Sequence, residues 1–344
     1  MAQQKALLLE KKGGAFVVDN VDLHKPASAE LVVKVQATAL NPLDWKIQEY
    51  GLFYETWPAI VGLDAAGNVE AIGEGVEGFT KGDRVFFHGF TRNEFATFQQ
   101  YTRVPAEITG RIPEKLTYSQ AASIPVCFTT AAIGLFASHP AGAGLNPTFD
   151  RSVKYPGKSA LVIGGSASIG QYAIQLLKFA GFSRIIAYAS GRHAEALTTL
   201  GATDVIDRTQ VAANELPAAV KKITSDPIEI VYDAVSGTAE TQGVGYGILA
   251  DGGQLILALP VQLTNLVDAK RAFQVYGSVF PDFNRKFGRS MYKNLTQLLE
   301  EGVIVPNPVE DLPNGLAGIP DNLERIKSGQ SSGKKLIAHP QQTV

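Results

Sequence analysis

The chain has 344 residues, 45% hydrophobic and 19% charged, with a formal net charge of -2. That size and apolar content suit a well-buried protein of about two domains, and the near-neutral charge argues against a nucleic-acid or anionic-membrane surface. A single cysteine, Cys127, rules out an internal disulfide and a multi-cysteine structural zinc site.

At the start, the apolar run at residues 6–9 is too short for a signal peptide. No later run approaches the ~18 apolar residues that span a membrane, so a cytoplasmic protein is expected. The first hundred or so residues read as β. Residues 30–40 alternate, 66–76 form a strand and glycine turn, and 83–89 form a strand closed by glycine. Glycine and proline punctuate this part at roughly 8–12-residue spacing, as in a barrel or sandwich of short strands. After Pro125 the pattern changes: 128–138 predicts a helix and 139–157 a polar, Pro/Gly-rich loop.

Regular alternation follows. Strands are predicted at 160–163, 184–190, 204–207, 228–235, 252–260 and 273–280, with helices near 169–179, 194–200 and 215–225. Short strands alternating with helices imply a doubly wound parallel sheet, so the fold class is α/β. The tail predicts a helix near 290–301 and a strand-like end at 333–339. The expected organisation is a β-rich domain from 1–125 and 282–344, interrupted by a dinucleotide-binding domain at 126–281.

The first strand of that alternating series runs into "GGSASIG" at 164–170. Its glycines are Gly164, Gly165 and Gly170; read as G-x-x-A-x-x-G, Gly164 allows the tight turn out of the strand, and Gly170 lets the helix near Ile169 pack close to the sheet. Ala167 stands where a pyrophosphate is normally approached by bare backbone. It adds only a methyl, and Ser166 and Ser168 add hydroxyl donors beside the helix N-terminus. About twenty residues on, NAD-preferring folds place an acid for the ribose 2′-OH. Here the second strand ends in Ser190, Gly191, Arg192 and His193, with no carboxylate before Glu195. A hydroxyl followed by a guanidinium suits a 2′-phosphate, so the expected cofactor is NADPH.

With the loop placed, "NPLDWK" (41–46) and "GLDAAGNVEAIGEGVEGFTKGDRVF" (62–86) resemble the medium-chain dehydrogenase/reductase superfamily. More narrowly, they resemble its zinc-free quinone oxidoreductase and enoyl (alkenal double-bond) reductase branch. The wording is similar to that of fungal trans-acting enoyl reductases. The resemblance covers essentially the whole chain. It implies a GroES-like catalytic domain built from both chain ends and an inserted Rossmann domain. Zinc-dependent members carry a Cys near the place of Asn41 or Pro42, and Gly-His-Glu where this chain has Gly62, Leu63 and Asp64. Leu63 cannot bind a metal and Asn41 is a poor zinc ligand, so no metal is expected.

The same resemblance nominates site residues. Lys46 follows a segment that lines the family's cleft, where it would hold a carbonyl oxygen or supply a proton; pairing with Asp44 or Asp64 is the structural alternative. Asn41 would hydrogen-bond cofactor or substrate. The tyrosine that zinc-free relatives present to the nicotinamide aligns with Phe53, which leaves that role to Tyr54 or Tyr50. Thr130 matches a nicotinamide contact, Arg208 replaces a common tyrosine near the adenosine phosphate, and His193 flanks the same place. Val235 and Leu259 are expected near the nicotinamide ribose, and Val279, Phe280 and Lys334 near the nicotinamide end.

The expected function is an NADPH-dependent, metal-free reductase acting on the C=C bond of an α,β-unsaturated carbonyl compound, free or carrier-bound. The alternatives are an NADPH:quinone oxidoreductase and a non-catalytic NADPH-binding protein. The expected partner is the small-molecule substrate alone, with no nucleic acid or membrane, and the chain is expected to be a monomer or homodimer.

Overall fold

The computed structural model describes residues 2–344. The chain divides into two compact units. One takes the chain through Val126 and again from Val279 to Val344; the other is Cys127–Ser278.

The second unit is a six-stranded sheet whose neighbours all run parallel. Its spatial order is Asp204–Asp207, Arg184–Ala189, Ser159–Ile163, Ile228–Asp233, Leu249–Leu257, Arg271–Gln274. The chain starts in the middle, winds outward to one edge, returns, and winds to the other. That is the 3-2-1-4-5-6 order of a Rossmann domain, with its switch point beside Ser159–Ile163. The middle strand is buried throughout, as parallel strands covered on both faces must be.

Three differences from the sequence reading have local causes. The sixth strand is Arg271–Gln274 rather than 273–280. The apolar run leaves the sheet after Gln274, and at Gly277 its backbone passes so close to Thr130 that a Cβ would lie 2.3 Å from Oγ1. A helix at Ala239–Ile248 was missed because Gly243, Gly245 and Gly247 disguise it. Gly245 has a packing reason, since a Cβ there would meet Ile163, Val231 and Leu255 at 3.2–3.3 Å. The tail helix runs Asp282–Glu300, earlier than predicted. Its buried stripe begins with Asn284 and Gly288 before reaching Met291, Tyr292, Leu295, Leu298 and Leu299, so its first turns lack the apolar signal.

The first unit is β-rich. One sheet carries, in order, Val309–Asp311, Lys335–Ala338, Glu30–Ala39, Asp64–Ile72, Arg84–His88 and Thr109–Arg111, with Tyr101–Pro105 also paired to Glu30–Ala39. A smaller sheet joins Phe16–Asp22, Gln3–Leu9 and Ala59–Ile60. In the larger sheet the C-terminal strand pairs antiparallel with Glu30–Ala39, with Ile337 opposite Ala39 and Ala338 opposite Thr38. A β-rich unit is therefore built from both chain ends, as the resemblance to a GroES-like domain implies, and the Rossmann unit is inserted between them in sequence. "NPLDWK" opens a helix, Pro42–Tyr50, with Asn41 at its N-cap and Pro42 in its first turn.

Candidate active site

In the Rossmann unit the Ser159–Ile163 strand ends in a loop that only glycine can make. Gly164 has φ +75°, and a Cβ on it would lie 2.5 Å from Val235 Cγ2. A Cβ on Gly170 would lie 2.2 Å from the Gly164 carbonyl oxygen, so helix and strand approach as closely as backbone allows. Ala167 is the N-cap of the twelve-residue helix Ser168–Phe179, and its methyl offers no capping oxygen. The Ala167 amide is committed to Gly164 O at 2.9 Å, which holds the turn. A twelve-residue helix whose N-cap has no side-chain oxygen directs its dipole and first amides at an anion. Ser166, Ala167, Ser168 and Ile169 are half-buried around that end, with Gly165 buried beneath. This cradle fits a pyrophosphate.

The ends of the second and third strands lie side by side, Ala189 opposite Asp207. Asp207 Oδ1 accepts the Gly191 amide at 2.9 Å, the Thr209 amide at 2.9 Å and the Thr209 hydroxyl at 2.8 Å. These bonds hold its carboxyl below the usual range. Around this turn stand Ser190, Arg192, His193 and Arg208. Arg192 Nε donates to His193 Nε2 at 3.1 Å. Burial lowers the His193 pKa, and the guanidinium groups of Arg192 and then Arg208 lower it further. The guanidinium groups of Arg192 and Arg208 thus share one corner of the sheet with His193, a setting that favours a polyanion.

Thr130 is buried on the helix Pro125–Phe136, and its carbonyl accepts the Tyr232 hydroxyl at 3.0 Å. Val235 is exposed at the end of the Ile228–Asp233 strand, and Leu259 is half-buried after the next.

In the GroES-like unit the strand register gathers a polar cluster that the sequence reading missed. Asp64 opens its strand opposite Ala39 on one side and His88 on the other. Lys335 opens the C-terminal strand two residues before Ile337, which carries it past Ala39 toward Asn41. The Lys335 ammonium donates to Asn41 Oδ1 at 2.6 Å and to Asp64 Oδ2 at 2.9 Å. Asn41 Nδ2 donates to the same Asp64 oxygen at 2.8 Å, while Asp64 Oδ1 accepts the Val126 amide at 2.6 Å. All of these side chains are buried, and removing one member of such a pair leaves an uncompensated charge costing ~3–5 kcal/mol. Two further buried groups adjoin the cluster. Asp44, which accepts the Asn41 amide at 2.7 Å, is pushed up to about 7 by burial. His88 is driven down to about 4, again by burial. The signal available in sequence was an acid inside the apolar stretch 59–66, which needs a buried cation.

The remaining candidates scatter. Lys334, expected near the nicotinamide, lies exposed on Glu310 at 2.8 Å; the lysine that turns inward is its neighbour. The Tyr54 hydroxyl donates to Ile60 O at 2.6 Å, and burial raises its pKa, so its proton is held by backbone. Tyr50 is half-exposed, and its hydrogen bond to Glu49 raises its pKa. Lys46 is half-buried with its ammonium 5.6 Å from the Trp45 ring, and neither Asp44 nor Asp64 pairs with it. Val279 and Phe280 belong to the GroES-like unit. Val279 packs at Gly288, and Phe280 stacks on Phe90 with centroids 4.5 Å apart. Among the described residues no group of three or more His, Cys, Asp or Glu side chains is arranged to hold a metal, and no helix is long and apolar enough to cross a membrane.

Two family models match: the alcohol dehydrogenase GroES-like domain over residues 27–114 and the zinc-binding dehydrogenase family over residues 168–301. The chain is 30% identical to a zinc-type alcohol dehydrogenase-like protein of Schizosaccharomyces pombe, over 97% of this chain and 99% of that one. It is likewise 30% identical to the trans-enoyl reductase grgB of a Penicillium species, over 97% of each. Among solved structures, an alcohol dehydrogenase superfamily protein from Novosphingobium aromaticivorans superposes with a TM-score of 0.78 at 24% identity, covering 94% of this chain and 95% of that one.

Proposed function

The chain belongs to the medium-chain dehydrogenase/reductase superfamily, among its fungal enoyl-reductase-like members, and on that premise we propose an NADPH-dependent reductase of activated C=C bonds. The substrate would be an α,β-unsaturated ketone, aldehyde or thioester, reduced by hydride addition at its β-carbon. The relatives named trans-enoyl reductases support the reaction class.

The observation that carries the cofactor choice is the corner formed by Ser190, Arg192, His193 and Arg208, where Asp207 is occupied by its own turn. Two guanidinium groups beside the Ser190 hydroxyl suit a 2′-phosphate better than a bare ribose. In this reading the first turn of Ser168–Phe179 and the Ser166 and Ser168 hydroxyls take the pyrophosphate, and Thr130, Val235 and Leu259 border the nicotinamide half. Bound there, NADPH supplies the hydride.

The donor set at Asn41, Leu63 and Asp64 does not fit a divalent cation. Asn41 and Asp64 already share an internal ammonium, and Leu63 offers no lone pair. Polarising the carbonyl therefore falls to a hydrogen-bond donor, and Lys46 is the residue we assign to it. Its ammonium would stabilise the negative charge that develops on the substrate oxygen. Tyr50, exposed and coupled to Glu49, would pass a solvent proton toward the α-carbon, while Tyr54 serves as scaffold. The test is NADPH oxidation with an enone series beside a quinone series. Turnover of enones is expected. Turnover of quinones alone would overturn the reading, and tight NADPH binding with no consumption would favour a non-catalytic role.

A further inference from the structure

Asn41 occupies the N-cap of Pro42–Tyr50, where an asparagine side chain ordinarily accepts an amide of its own helix. Its side chain reaches inward: Oδ1 accepts from Lys335 at 2.6 Å and Nδ2 donates to Asp64 at 2.8 Å. At the same turn Asp44 Oδ2 accepts the Asn41 amide at 2.7 Å. Both ends of the Asn41 amide are therefore set by one buried ammonium and the carboxylate it neutralises. Asp64 is itself fixed by the Val126 amide at 2.6 Å, so the reference point is rigid.

We propose that Lys335 is a positioning residue: its buried ammonium, bridging Asn41 and Asp64, sets the entry of the helix Pro42–Tyr50 and with it the placing of Lys46 and Tyr50. This rests on the reading of Lys46 and Tyr50 given above. Lys335 touches no substrate in this scheme. It acts through Asn41, and a shift of about 1 Å in a positioned group is enough to lower turnover ~100-fold.

The helix carries its own reporter in Trp45. In a Trp57→Phe background, Trp45 is the sole indole, and its emission reads the placement of the helix whether or not a substrate is turned over. Three variants separate positioning from simple stability. Lys335→Met removes the ammonium and strands the Asp64 charge. Lys335→Met with Asp64→Asn removes both charges, so it relieves the buried anion while leaving an oxygen for the Val126 amide. Asn41→Ala leaves the Lys335–Asp64 ion pair intact and removes the side chain that links it to the helix.

The double variant is expected to recover the thermal midpoint that Lys335→Met loses, yet to keep a shifted Trp45 emission and a kcat for enone lowered ~100-fold. Its NADPH Kd, set by the Rossmann unit, should stay within about twofold of the parent. Asn41→Ala should show the same emission shift and kcat loss, and it decides the matter if the double variant does not fold. Parental emission and kcat in the double variant, or in Asn41→Ala, would overturn the proposal. If the parent protein reduces no enone, the functional reading fails, and the Trp45 emission alone decides the role of Lys335.

Discussion

Asp207 Oδ1 accepts the Gly191 amide at 2.9 Å, and a Cβ on Gly191 would lie 2.4 Å from Asp207 Oδ2. The acid at the end of the third strand is thus folded behind the turn that presents Arg192. What faces outward there is cationic, and the proposed preference for NADPH rests on this relationship. Arg192→Ala and Arg208→Ala are each expected to weaken NADPH binding ~10–100-fold, as loss of a charged hydrogen bond does, while NADH binding changes less than about twofold. Titration of both cofactors by fluorescence checks this. Equal losses for NADPH and NADH would remove the 2′-phosphate assignment.

Glycine has opposite meanings at two positions of the Rossmann unit. At Gly170 a Cβ would meet Gly164 O at 2.2 Å, so Gly170→Ala must push the helix off the loop. The expected result is a thermal midpoint lower by several degrees and a weaker NADPH Kd. At Gly247, inside the helix Ala239–Ile248, nothing lies within 4 Å of a built Cβ. Gly247→Ala should therefore stabilise by up to ~1 kcal/mol through helix propensity. Denaturant midpoints of the two variants should move in opposite directions.

Asp44 and His88 oppose one another in their dependence on pH. Burial raises Asp44 from 3.8 to about 7, so its contribution to stability is complete below pH ~4 and is lost as pH rises toward 7. Burial lowers His88 from 6.5 to about 4, so its contribution is complete above pH ~6.5 and is lost as pH falls toward 4. Between those limits the two slopes nearly cancel. Asp44→Asn should expose the His88 slope, with stability rising by about 3 kcal/mol from pH 4 to 6.5. His88→Gln should expose the opposite slope, with stability falling over the same range. Urea unfolding at intervals of pH would show both, and a parallel pH profile in the two variants would contradict the assignment.

Lys46 and Tyr54 part company under substitution. Tyr54→Phe deletes the hydrogen bond to Ile60 O and is expected to cost about 1 kcal/mol of stability with kcat unchanged. Lys46→Met removes the proposed oxyanion donor and should lower kcat/KM for enones ~100-fold at nearly constant stability. Steady-state assays beside thermal melts distinguish the pair. A large kcat loss in Tyr54→Phe would return the proton to that hydroxyl.

Much of the second unit was legible in sequence because its signals are local. Strand Ser159–Ile163 is a continuous apolar run, Ser168–Phe179 has helical spacing, and the glycines between them mark a turn whatever surrounds it. Reading failed where local chemistry and tertiary role diverge. The glycines of Ala239–Ile248 and the polar opening of Asp282–Glu300 hide helices whose buried faces are small or polar at the start.

The alternation of strands and helices, the glycine turn at 164–170 and the basic corner after the second strand were therefore determined by the sequence alone, since each is a pattern within about thirty residues. The polar cluster of the GroES-like unit was not. Lys335 lies 294 positions from Asn41 and 271 from Asp64. In sequence Lys334 and Lys335 are equivalent neighbours. Only the antiparallel register that sets Ile337 opposite Ala39 turns one toward Asp64 and leaves the other on Glu310 at the surface. Which of two adjacent lysines becomes a buried cation is decided by the alternation of a strand, and that alternation has meaning only once the sheet has formed.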